Sequence, residues 1–185
     1  MFVLKKGFPK SLPLCVLIML WVAIFLSVNL SHGIGDLEVY VERVDNPDID
    51  KCKYCGRRIK VRGIHKDAEV TIKRQIKEKF TEKGMGYGEG KEKRTYISVL
   101  IYKFIERKGG NFAVEKPAGV GFHMHLMEDN AVQQVFVFDE DQQALSENVL
   151  NLGKFLRRGG RWVTADELSA EGIDAGLYYL LEERE

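Results

Sequence analysis

The stretch from Thr95 to Ile105, TYISVLIYKFI, limits the possible folds more than any other part of the chain. Branched and aromatic residues dominate it, as suits a strand. Apolar side chains fall on both of its faces, so it predicts an inner strand of a sheet covered on two sides. Two further strands follow, AGVGFHMHLM at 118–127 and AVQQVFVFD at 131–139, joined through Glu128-Asp129-Asn130 in what reads as a tight hairpin. Three strands joined in this way favour antiparallel pairing.

The flanking patterns supply the rest of the layers. DLEVYVERV at 36–44 alternates Leu37, Val39 and Val41 with polar residues, the mark of a half-buried strand, and RRIKVRGI at 57–64 reads as a short second one. Ala68, Ile72, Ile76 and Phe80 then recur every four residues, giving an amphipathic helix that starts near Asp67 and stops at Gly84. Leu145, Val149, Leu152 and Leu156 form a second such stripe, closed by Gly159 and Gly160. Thr164 and Glu167 have the spacing of a capping box, and a last helix runs on through Leu168, Ile173, Leu177 and Leu181. The expected fold is α/β: a mixed, largely antiparallel sheet of four to five strands with helices packed on it, preceded by an N-terminal hydrophobic signal or anchor helix.

That leading segment occupies residues 1–35, leaving 36–185 as a single exported domain. Lys5, Lys6 and Lys10 precede an unbroken apolar run of 13 residues from Leu14 to Leu26, with the small and polar SVNLSHGIG behind it. This is the layout of a secretory signal. Counted from Leu12 to Leu30 the segment has 19 residues, close to the length that spans a bilayer, so a cleaved signal and a retained anchor through 12–30 both remain open. Lysines ahead of the run hold that end in the cytoplasm, which predicts a periplasmic or envelope location for the rest. Cys15 lies within the run and reads as a small apolar residue.

The order of a helix, the long strand YISVLIYKFIERKGG and the paired VGFHMHLMEDNAVQQVFVFDEDQQAL leading into a helix resembles the small α/β domain of bacterial envelope proteins. That group includes the TolB amino-terminal domain, the curli-secretion lipoproteins and the lipoprotein activators of penicillin-binding proteins. The resemblance covers roughly 66–183 and implies a non-enzymatic assembly or accessory role with an envelope protein as partner. Members often carry a lipid-modified cysteine after the signal; here no cysteine follows the apolar run until Cys52.

Charge excludes some partners. The chain has 28 basic and 27 acidic residues, and with the three leader lysines set aside the remainder is net −2, so no global attraction to nucleic acid follows. The charges are segregated, with 15 basic and 6 acidic side chains in residues 51–94 against 1 and 7 in residues 164–185. A basic region outside the cytoplasm would meet anionic lipid, glycan or an acidic protein face; the plainer reading is a solvated helix face. GMGYGEG at 84–90 invites a nucleotide, but a phosphate loop leaves a strand and opens a helix, and here the order is reversed. It reads as a flexible connection.

The chemistry rests on two motifs. Cys52 and Cys55 form a CxxC in DKCKYCGRR, and His123 and His125 sit two apart in a strand, hence on one face, with Val120, Phe122, Met124 and Leu126 on the other. Each pair is half of a tetrahedral zinc site, and together they complete one; His65 is a spare ligand. The two halves are 68 residues apart in sequence. Exported cysteine pairs tend to oxidise, so a local Cys52–Cys55 disulfide is the preferred expectation, zinc the alternative cofactor, and a thiol-redox couple a third reading that lacks the helix N-terminus such couples use. For the histidines alone, a solvent-facing or partner-facing pair is the plain expectation. Asp139-Glu140-Asp141 sits where a strand gives way to a helix, a place where acidity favours the helix dipole, and Ser98, Ser146 and Ser169 lie in no nucleophile-elbow context. No catalytic set is complete, and a non-enzymatic protein without bound nucleotide is expected.

Overall fold

A computed structural model of the 185-residue chain describes residues 36–109, 114–142 and 161–182. The leader and the helix expected over Leu145–Leu156 lie outside the described residues. No helix among the described residues is long and apolar enough to cross a membrane. Residues Asp36–Glu185 form one compact unit that holds the described residues of the main core.

Five strands form one sheet in the order β2-β1-β3-β6-β7: β1 (Leu37–Arg43), β2 (Tyr87–Glu89), β3 (Thr95–Ile105), β6 (Gly119–Glu128) and β7 (Ala131–Asp141). A separate ribbon pairs β4 (Lys108–Gly109) with β5 (Val114–Lys116). Strands β3, β6 and β7 pair antiparallel, while β1 runs parallel to both β2 and β3. The β6–β7 hairpin turns on Asp129 and Asn130, whose φ values of 49° and 61° are those of the two-residue turn that matches strand twist.

Two sequence expectations change. The glycine-rich stretch is no free connection, because Tyr87–Glu89 pairs with Leu37–Val39 as an edge strand. The segment 57–64 forms no strand. Instead Arg62 N–H donates to the Tyr102 carbonyl, Phe104 N–H to the Gly63 carbonyl and His65 N–H to the Phe104 carbonyl, so 62–65 lies along the edge of β3 beyond the end of β1. The edge there is already defined by β3, and the short segment completes it without extending into a strand of its own.

Helix α1 (Ala68–Glu82) and helix α2 (Ala165–Leu181) both cover one face of the sheet. Ile72, Ile76 and Phe80 of α1, and Leu168, Ile173 and Leu177 of α2, pack with Ile97, Val99 and Ile101 of β3 and Val120, Phe122, Met124 and Leu126 of β6. Helix α1 ends as Gly84 adopts φ +67° while the Gly84 N–H bonds the Thr81 carbonyl and the Met85 N–H the Phe80 carbonyl, a left-handed stop that only glycine adopts without strain. The capping box of α2 forms as expected, with Glu167 N–H on Thr164 Oγ1 at 3.2 Å and Thr164 N–H on Glu167 Oε2 at 2.9 Å.

The charge segregation in the sequence is largely an agreement between these two helices. Arg74 meets Asp166 at 2.6 Å, Lys79 meets Asp174 at 3.2 Å, and Lys83 meets Glu182. Beneath them Gln75 donates to the Asp166 carbonyl and accepts from Ser169, so the one polar side chain buried on α1 is satisfied by α2.

Helix α2 lies close enough to the sheet that a Cβ at Gly172 would stand 2.7 Å from the Phe138 ring and 2.9 Å from Phe122. Gly172→Ala gains about 1 kcal/mol of helix propensity, but overpacking against two core rings costs about 1–3 kcal/mol. The variant is expected to be less stable by up to about 2 kcal/mol on that balance. A lower urea midpoint with unchanged slope checks this; an equal or higher midpoint would show that the rings give way freely.

Candidate metal centre

The opposite face of the sheet carries no described helix, yet β3 is buried on that side as well. Ser98, Leu100 and Tyr102 point there, and the cover is the 17-residue excursion 45–61 between β1 and the segment at 62–65. It leaves the sheet after Val44 N–H bonds the Ile101 carbonyl, turns on Asn46-Pro47-Asp48 with Asn46 Oδ1 accepting from Asp48 N–H, and folds back over the face. Cys52 and Ile59 enter a small second core with Leu100 and Tyr102, flanked by Val44, Tyr54, Cys55 and Val61.

The excursion is itself a β-knuckle. Lys51 and Arg58 bridge antiparallel, Cys52 N–H donates to the Arg57 carbonyl at 2.8 Å, Gly56 N–H to the Cys52 carbonyl at 2.9 Å, and Ile59 N–H to the Asp50 carbonyl at 2.9 Å. Gly56 takes φ +68° directly after Cys55, which lets the chain reverse. The reversal aims the backbone N–H groups of Tyr54 and Cys55 at the Cys52 sulfur.

Beneath the knuckle lie His123 and His125. They are 1% and 0% exposed, which overturns the reading of a solvent-facing or partner-facing pair. Alternation along β6 correctly gave them one face but carried no information about a loop folding over it. Cys52 Sγ is 3.3 Å from His125 Nε2, Cys55 Sγ is 3.5 Å from His123 Nδ1, and all four ligand atoms lie within 4.8 Å of one another. Both cysteines are free thiols. The spare candidate, His65, is elsewhere, exposed beside Asp67 at 3.7 Å.

Several neighbours fix the set. His125 Nδ1 is 3.1 Å from the Ser98 carbonyl, which places the ring proton on Nδ1 and leaves the Nε2 lone pair facing Cys52. The Tyr54 ring sits 5.0 Å from His125, and Tyr102 meets His123 edge-on at 5.3 Å. Burial pushes the Cys52 thiol up to about 11, against the two N–H bonds that favour its thiolate. Burial holds His123 down to about 4, with lesser contributions from His125 and Arg57, and lowers His125 as well. At neutral pH the pocket therefore holds a neutral Cys52 thiol and two neutral imidazoles.

A divalent cation matches this donor set. A tetrahedral zinc with Zn–S of about 2.3 Å and Zn–N of about 2.0–2.1 Å has S···N edges of about 3.6 Å. The two observed S···N distances fall within a few tenths of an ångström of that edge. Two thiolates would neutralise the ion, and the N–H groups aimed at Cys52 favour the form it must adopt.

One buried charge beside the site escaped the sequence reading. Lys103, 2% exposed, pairs with Asp139 and, at 3.0 Å, with Asp141, which also takes Arg62 at 3.1 Å. Glycines 119 and 121 make room for this group: a Cβ on Gly119 would collide with Asp141 Oδ1, and one on Gly121 would fall 3.2 Å from Lys103 Cβ. A lysine inside an apolar strand, facing a glycine-rich strand with DED beyond it, was the available signal. Asp139 and Asp141 accordingly end β7 as ion-pair partners.

No family model matches the chain, and no curated protein matches it. Among solved structures, a PelC dodecamer from Paraburkholderia phytofirmans is similar at 12% identity and TM-score 0.45, covering 78% of this chain and 86% of that one. A DUF330 protein from Xanthomonas campestris is similar at 10% identity and TM-score 0.43, over 80% and 87% of the two chains. A minor lipoprotein from Acinetobacter baumannii is similar at 9% identity and TM-score 0.32, over 74% and 89%. These neighbours are bacterial proteins, one of them a lipoprotein.

The buried site makes stability depend on pH in both directions. Between 6.5 and about 4 the unfolded chain protonates its histidine while folded His123 stays neutral, so the unfolded state binds more protons and stability falls as pH drops through that window. Between 9.0 and about 11 folded Cys52 keeps a proton that the unfolded chain has lost, so stability falls as pH rises. Metal-free protein is expected to show its highest melting midpoint between these limits, with His123→Gln flattening the acid limb; thermal melts across pH after chelation check it. An acid limb unchanged by the substitution would show that His123 does not set it.

Proposed function

We propose that this chain is a non-enzymatic, zinc-binding accessory protein of the bacterial cell envelope, in which Cys52, Cys55, His123 and His125 hold one metal ion. The observation that carries the reading is the convergence of two sulfur and two nitrogen donors within 4.8 Å from segments far apart in sequence. A mixed S₂N₂ set of this kind suits zinc. With four protein ligands the tetrahedral shell is filled, which leaves no open position for a substrate and makes the role structural. The ion would clamp the knuckle onto the sheet, keeping Leu100, Tyr102 and both histidines covered. The envelope location is supported by the lysines at 5, 6 and 10 ahead of the apolar run, and the domain outside the cytoplasm would serve an envelope protein as partner.

Export also favours the second reading, a Cys52–Cys55 disulfide. The two are separated by analysis of the exported protein as isolated from the envelope. About one equivalent of zinc per chain is expected, with Cys52→Ser and His125→Ala each abolishing stoichiometric binding and lowering the melting midpoint to that of the chelated wild type. A metal-free product whose mass rises by two hydrogens on reduction would replace zinc with the disulfide.

A further inference from the structure

The two sides of the knuckle differ in kind. Cys52 and Ile59 point inward to the small core, so alternation places Lys51, Arg58 and Lys60 on the outward side. All three are exposed, as is Arg57 at the reversal. Lys51 and Arg58 are also direct partners across the bridge, an arrangement of like charges that destabilises a strand pair unless something relieves it.

Nothing in the described residues does. The other cations of the knuckle are spoken for, Lys53 by Glu42 at 2.7 Å and Arg62 by Asp141 at 3.1 Å. The basic side chains of α1 at 74, 79 and 83 are paired across to α2. Lys51, Arg57, Arg58 and Lys60 form no ion pair with any described residue, and Asp48 and Asp50, just ahead of the first arm, form none with them. Lys66, Lys77, Lys91 and Lys93 also form no ion pair with a described residue, but they lie on other segments, and Lys51, Arg57, Arg58 and Lys60 are the four gathered on one exposed, hydrogen-bonded loop.

We propose that this outward side, carrying Lys51, Arg57, Arg58 and Lys60, docks on an anionic phospholipid surface. The four cations line two arms and a turn and do not converge on a pocket, which suits a fluid layer whose phosphates move to meet them. Arginine forks bind phosphate oxygens in pairs. The apolar run at 12–30 brings the chain to a bilayer during export, whichever fate that segment has. Ile49, 40% exposed and two residues before Lys51, adds an apolar side chain at the rim. The docking rests on the backbone of the knuckle and goes beyond the zinc reading.

The unit from Asp36 to Glu185, which holds the described residues of the main core, is tested by co-sedimentation with phosphatidylcholine vesicles with and without phosphatidylglycerol. Binding is expected only with the anionic lipid and to weaken as salt is raised. Each cation removed is expected to weaken it about five-fold, so Arg58→Gln with Lys60→Gln loses about 25-fold, while the exposed pair Lys66→Gln with Lys77→Gln loses little. Zinc content measured on the same samples reports separately on the metal. Equal binding to both vesicle types, or no loss in the knuckle variant, overturns the proposal. So does equally tight binding of soluble polyglutamate, which would assign the face to an acidic protein.

Discussion

Everything in this domain turns on the double burial of β3. A strand that presents Ile97, Val99 and Ile101 on one side and Ser98, Leu100 and Tyr102 on the other cannot stand at a water interface. Two described helices satisfy the first side. The second is satisfied by a loop, and a loop is poor material for a core, since its backbone polar groups must be paired and it brings few apolar side chains. The knuckle meets the backbone requirement with its own hydrogen bonds. Cys52 and Ile59 are its buried contribution, and the small core they enter places two thiols directly above two histidines.

The electrostatics follow the same division. On the helix side, opposite charges on α1 and α2 cancel pairwise at the surface, where each pair contributes little and together they set the angle and register of the helices. On the loop side, buried Lys103 pairs with the exposed carboxylates of Asp139 and Asp141, and its charge would be costly to leave unpaired. It stands beside a pocket of neutral thiol and imidazole, so the two polar features of that face are built on opposite principles. One is charged and self-compensating; the other is uncharged and suited to a cation.

Legibility in the sequence divides along periodicity. Strands β1, β6 and β7 and both described helices were readable because each repeats its apolar residues at the period of its own structure, β3 because its branched and aromatic residues run on without a break, and the Thr164–Glu167 box and the Asp129-Asn130 turn from local chemistry. The 57–64 segment misled because Ile59 and Val61 alternate with basic residues as a strand would, yet the segment's partners are the knuckle and one edge of β3. The four ligands were each visible as half-sites. Their meeting was not, because it depends on the direction in which a 17-residue loop folds, and no local pattern encodes that direction.

The excursion leaves and rejoins the sheet at adjoining places. Val44 N–H bonds the Ile101 carbonyl and Arg62 N–H bonds the Tyr102 carbonyl, so consecutive positions of β3 hold the two ends of the detour. Such a detour behaves as a cassette: evolution can lengthen it, recode it or delete it while the strand underneath keeps its register. The histidines belong to the permanent scaffold and the cysteines to the exchangeable part, so descendants that lost the cassette would keep a paired imidazole face open to the solvent, free to acquire a different chemistry.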